Sequence, residues 1–196
     1  MFWLEFNGTH AHPGEGVRLW LRRGSFPRGE EPLGGPVQVT AYGPRGQRER
    51  VATVAGALVG EVLWTPQEEG PWLVLARAGD AETALTCVPV GHHHQAQPVW
   101  SGLPLEAVMA GPLVQPQDGF SWRRGEVLHL LVTAAGRPLP QAAVRLLGEG
   151  PGGAVDETYR SDDQGRLAIP LGFSGRGLAL AAAGGKPGSF YFLSLK

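Results

Sequence analysis

The sequence predicts an all-β chain folded as two consecutive antiparallel Ig-like β-sandwich domains, on three observations. Short apolar runs, several alternating with polar residues, recur about every 8–12 residues. The 30 glycines and 17 prolines lie between those runs along the whole chain, which marks many turns rather than one disordered tail. No stretch of about ten or more residues carries a convincing helical period. The chain has 196 residues, so each half holds about 95, enough for a modest core of its own. The expected domains are residues 1–98 and 99–196.

Phe2-Trp3-Leu4-Glu5-Phe6 alternates and stops at the turn signal Asn7-Gly8, which gives a first strand. After the loop 9–16, residues 17–22 alternate less cleanly but remain strand-like. A polar, Pro/Gly-rich loop covers 25–36, and residues 37–42 alternate well before Gly43-Pro44-Arg45-Gly46. Further strands are expected at 47–54, 58–64, 72–77 and 82–89. Residues 91–101 are polar, hold Pro98 and break the alternation, as a connector would.

In the second half, strands are expected at 105–108, 127–133, 142–147, 157–160, 166–170, 178–182 and 190–195. Residues 148–153 read as a flexible loop, and Ser161-Asp162-Asp163-Gln164-Gly165 as a tight turn. The strongest helical rival is 177–185, where Leu178-Ala179-Leu180-Ala181-Ala182-Ala183 has high helix propensity. Its flanking glycines and short length favour a strand. Segments 70–79 and 175–184 match at six of ten positions, and Gly14-Glu15-Gly16-Val17 resembles Gly125-Glu126-Val127 with one gap. The halves are therefore expected to share a topology.

Seventeen basic side chains face 18 acidic ones, for a net charge of −1. A nucleic-acid binder needs a basic stripe to neutralise phosphates, and none is present. No apolar run of about 18 residues is long enough to span a membrane. Met1 followed at once by Phe2-Trp3-Leu4-Glu5 reads as a domain whose leader was removed, so a periplasmic or extracellular location is expected. Cys87 is the single cysteine; no intrachain disulfide can form, and a buried thiol in a strand is expected. No nucleophile–base pair can be named, so enzyme activity is not expected. The G-x-G-x-x-G string at 148–153 opens no helix. Asp162 and Asp163 read as turn residues, with calcium binding as the sharper alternative.

The chemistry concentrates on histidine. Three of the six histidines, His92, His93 and His94, stand side by side near the midpoint. Neutral imidazole ligates nickel, cobalt, copper and zinc. In extended chain, residues i and i+2 project to the same side, so His92 with His94, and His10 with His12, could each chelate one ion. In an Ig-like sandwich whose first and last strands run parallel, both groups would reach the pole that faces the second domain. The plain alternative is a solvated polar linker. His129, within a strand-like run, reads as structural. The six tryptophans read mostly as core, with Trp100 beside the histidines a rival cap for a ligand or interface.

Phe2-Trp3-Leu4-Glu5, Pro13-Gly14-Glu15, Gly102-Leu103-Pro104-Leu105-Glu106, residues 136–144 and Asp162-Asp163-Gln164-Gly165-Arg166 together resemble the periplasmic domain-of-unknown-function family linked to nickel and cobalt uptake. The second half also resembles transthyretin-like and carboxypeptidase-regulatory sandwich modules. The first resemblance implies a metal-binding accessory to a membrane metal transporter. Met1 stands where members of that family carry a histidine. The rival expectation is a structural or adhesive module that binds a protein or carbohydrate partner through sheet edges or loops.

Overall fold

The computed structural model describes residues 1–55, 60–79, 82–91, 111–119 and 121–196. They form an all-β structure of two Ig-like sandwiches. The first half supplies β1 (Phe2–Phe6), β2 (Val17–Arg23), β3 (Val37–Tyr42), β4 (Arg48–Val54), β5 (Gly60–Trp64), β6 (Gly70–Ala78) and β7 (Glu82–Val90). The second supplies β8 (Leu113–Pro116), β9 (Trp122–Arg123), β10 (Val127–Ala134), β11 (Arg137–Pro138), β12 (Ala143–Gly150), β13 (Gly153–Arg160), β14 (Arg166–Pro170), β15 (Gly175–Ala183) and β16 (Lys186–Leu195). In the first sandwich, β1-β2-β5 faces β4-β3-β6-β7; in the second, β8-β10-β14 faces β13-β12-β15-β16. The connectivity is the same once the two-residue strands β9 and β11 are set aside.

Alternation decides the clearest strands. Val17, Leu19 and Leu21 of β2 are buried while Arg18 is exposed, and Leu128, Leu130 and Val132 of β10 repeat the pattern. One face of each strand meets the core and the other meets water. The alanine-rich segment is a strand, β15, because β12 and β16 pair with its two edges and outweigh its helix propensity.

A parallel seam joins the halves. β7 and β16 pair side by side, Thr83 with Gly188 through Thr86 with Tyr191, making one nine-stranded sheet. Register partners Leu85 and Phe190 both face the core under the β8-β10-β14 sheet, whereas Ala84 faces the core under the β1-β2-β5 sheet. The two small sheets therefore cover opposite faces of the shared sheet. Equivalent strands meeting in parallel with opposite faces covered amount to an approximate two-fold axis along the strands. Tyr42, Leu73, Leu75 and Cys87 of the first half sit in the same cluster as Trp122, Leu130 and Phe192 of the second.

β1 is the second joint. Phe2, Leu4 and Phe6 point into the first core, and Trp3 points the other way, onto Leu147, Leu178 and Tyr191. Glu5 shares Trp3's face and is 1% exposed. Its Oε2 accepts from Arg22 Nε at 2.5 Å, and its Oε1 lies 3.8 Å from Arg176 Nη1 of the second sandwich. Arg176 also pairs with Glu149.

One expectation changes, and one strand was not expected. Residues 148–153 are the tip of the β12–β13 hairpin, with paired backbone on both sides, not a flexible loop. A Cβ on Gly150 would lie 1.7 Å from the Ser174 carbonyl oxygen, so only glycine lets the hairpin pass there. Strand β8 sits at Leu113–Pro116, bounded by prolines that hide it from pattern reading. The strand expected at 105–108, the domain boundary at 98/99 and Trp100 lie outside the described residues.

Candidate functional site

The first candidate is the pole where β1 exits and β7 ends. Chain leaving β1 bends at Thr9 and runs on, parallel, beside the end of β7. Ala11, buried at 5%, forms a parallel bridge with Val90: Ala11 N donates to Pro89 O at 2.8 Å, and Gly91 N donates to Ala11 O at 2.8 Å. Glu15 holds the segment from the other side, its carboxylate accepting from His12 N at 3.1 Å and its amide donating to His12 O at 3.0 Å.

With Ala11 turned inward, His10 and His12 project to the same side. Their ring centroids are 5.1 Å apart at 88°. Two imidazoles on one tetrahedral ion, with metal–nitrogen bonds of about 2 Å, bring their centroids to roughly 5 Å, so the spacing suits a two-imidazole chelate. Thr9 Oγ1 lies 3.2 Å from His10 Nδ1. The expected ligands His92, His93 and His94 lie outside the described residues, although Gly91, which precedes them in sequence, is held beside Ala11. Among the described residues, no group of three or more His, Cys, Asp or Glu side chains could hold a metal ion.

Cys87 is buried at 7%, and desolvation pushes its thiol pKa well above the usual range. A thiol so held stays protonated and unreactive. Asp162 acts as a turn residue: its Oδ1 accepts from Gln164 N and Arg166 N, each at 2.8 Å. Trp3, Trp64, Trp72 and Trp122 are core, while Trp20 is half-buried.

The second candidate was not legible as a motif. An open groove of about 720 Å³ lies on the second sandwich. It draws on four separate segments: Gln117 and Asp118 after β8, His129 and Leu130 of β10, Gln141 before β12, and the β13–β14 turn with the start of β14, from which Arg160, Ser161, Asp162 and 166–168 line it. His129, expected to be structural, is half-exposed here, with Nε2 3.7 Å from Asp118 Oδ2. The one available signal was its polar position in the alternation of β10.

No family model and no curated protein matches the chain. Among solved structures it is similar to the D0–D1 domain of intimin, at 14% identity over 99% of this chain and 98% of that one, with a TM-score of 0.32. It is also similar to a tetra-tandem repeat in the extending region of a large adhesion protein, at 16% identity over 97% of this chain and 47% of that one, with a TM-score of 0.33. A third is the full ectodomain of mouse nectin-like molecule 4, at 15% identity over 99% and 63%, with a TM-score of 0.25. This chain spans less than two thirds of the last two. The Ig-like assignment stands on the strand order of the chain itself. Among the described residues, no helix is long and apolar enough to cross a membrane.

Proposed function

We propose that this chain is a non-enzymatic structural or adhesive β-sandwich module that works outside the cytoplasm and binds a protein or carbohydrate partner. The observation that supports this reading most is the shared nine-stranded sheet. Tandem sandwiches usually meet through small polar interfaces and move against one another. Here main-chain pairing between β7 and β16 fixes them in one body. A rigid body holds its loops and grooves in a constant arrangement, which lowers the ordering cost of binding. The test is a binding screen of the intact chain, immobilised by one terminus, against neutral and acidic polysaccharides and extracellular proteins. Saturable binding with a Kd below about 100 μM, an ordinary range for weak specific recognition, is expected. No saturable binding to any probe would remove the reading.

His10 and His12 favour a second reading, because their 5.1 Å separation suits a shared ion. In it the chain binds nickel, cobalt, zinc or copper, with His92, His93 and His94 as further ligands, and hands the ion to a membrane metal transporter. Calorimetric titration of the four ions should then show micromolar binding. His10→Ala/His12→Ala and His92→Ala/His94→Ala should each weaken it at least about 10-fold, as expected when ligands of a shared site are lost. Binding only above the millimolar range would end this reading.

A further inference from the structure

We propose that the groove on the second sandwich binds an acidic saccharide, with a uronate carboxylate held by Arg160 and Arg166. The proposal rests on the module reading above and names a ligand class for it. The charged groups lining the groove are Arg160, Arg166, Asp118, Asp162 and His129. Of the two carboxylates, Asp162 is tied to its own turn, while Asp118 is exposed and lies 3.7 Å from His129. The arginines are not matched in the same way. Arg160 Nη1 donates to the Gln141 carbonyl at 3.3 Å, and the Arg166 guanidinium has no ion-pair partner among the described residues. Arg22, Arg23, Arg45, Arg145 and Arg176 each sit on a carboxylate; Arg160 and Arg166 share their lack of an ion pair among the described residues with Arg123, Arg124 and Arg137, but only these two line the groove. A guanidinium presents a planar fork of donors that fits a carboxylate, with charge-assisted bonds stronger than neutral ones.

The groove wall is built rather than incidental. Gln141 has φ of 56°, a left-handed conformation that non-glycine residues seldom adopt. Ser161, 2% exposed, braces the loop on both sides of it: Oγ accepts from Ala142 N at 2.9 Å and donates to Leu139 O at 2.7 Å. The brace fixes the Gln141 carbonyl that receives Arg160, so one of the two forks is oriented before any ligand arrives.

The lining also selects for a hydrophilic ligand. Met1, Leu63 and Val127 are the large apolar side chains exposed among the described residues, and none of them lines this groove. A folded protein partner generally needs a large aromatic or aliphatic anchor; the apolar residues lining this groove are the buried Leu130 and Leu167 and the small Ala168. The groove offers amides at Gln117 and Gln141 and a carboxylate at Asp118, donors and acceptors suited to sugar hydroxyls. A second depression of about 480 Å³ shares Asp118 and His129 with it.

The test titrates the full chain with oligogalacturonate, dextran oligomers of equal length and a poly-glutamate peptide, at two salt concentrations. Oligogalacturonate should bind, more weakly at high salt, and at least about 10-fold more tightly than either control. Arg160→Gln and Arg166→Gln should each cost about 10-fold, the scale of one charged hydrogen bond, with circular dichroism unchanged. Gln117→Ala is expected to have a smaller effect of the same sign. Equal binding of dextran, tighter binding of poly-glutamate or unaltered affinity in both arginine variants would overturn the proposal. If the chain binds other partners but no uronate, the groove assignment fails and the module reading stands. If it binds nothing, both fall.

Discussion

Replacing Trp3 with alanine will lower the unfolding free energy by about 3–5 kcal/mol, although Trp3 belongs to neither of the two main cores. The indole is fully buried against Leu147, Leu178 and Tyr191. A tryptophan in such a place removes roughly 150–250 Å² from water. At about 25 cal/mol per Å² that is on the order of 4–6 kcal/mol, an upper bound because an unfolded chain already hides part of that area. The effect will differ from an ordinary cavity, since the indole lies between β1 of one sandwich and β12, β15 and β16 of the other. Urea unfolding should show one transition for the native chain. Trp3→Phe should keep most of the stability, because it retains ring packing and removes Nε1, which has no hydrogen-bond partner among the described residues. Trp20→Ala, at a half-buried position on β2, should cost less than about 1 kcal/mol. A loss below about 1 kcal/mol for Trp3→Ala would show that the seam, not this cluster, joins the halves.

Arg22→Met will cost about 3–5 kcal/mol, the usual result of stranding a buried charge. Glu5 is 1% exposed, and Arg22 gives its carboxylate the hydrogen bond at 2.5 Å. Arg176, at 3.8 Å from the other oxygen, also answers to Glu149. Its Nη1, which faces Glu5, is 3.8 Å away, too far for a hydrogen bond in place of the one lost. The double variant Arg22→Met/Glu5→Leu should recover most of the loss, because an apolar pair needs no desolvation of charge. Chemical denaturation of the four proteins in the cycle measures the coupling. A double variant no more stable than Arg22→Met would show that the carboxylate contributes by something other than its pairing with Arg22.

Much of the fold was legible because one-sided burial writes a period of two into the chain. β2, β3, β10 and β14 bury alternate residues, and the pattern places them to within a residue or two. β7 was legible as a strand for a different reason: Thr83 to Val90 are all buried, and the run is mostly apolar. Its partner was not legible, since a continuous buried run says that both faces are covered but not by what. The glycines of 148–153 were misread because tolerance of close backbone approach and freedom to move leave the same trace in a sequence.

The candidate sites divide in the same way. His10 and His12 share a side because alternation is local, and two residues of extended chain settle it. Ala11 joining Val90 depends on the sandwich closing, and only the folded chain shows it. Gln117, His129, Gln141, Arg160 and Arg166 span about half of the second domain, and no spacing connects them.

By itself, then, the sequence determined what local periodicity and turn chemistry can determine: all-β structure, two Ig-like halves, the position of most strands and the side on which a histidine pair projects. Tertiary structure decided which edges meet. It set β7 beside β16, turned the second face of β1 onto the other sandwich, and assembled two arginines into one groove. Pairing between strands that are distant in sequence is chosen by the total area buried and the charges satisfied across the whole molecule. No single segment carries that sum.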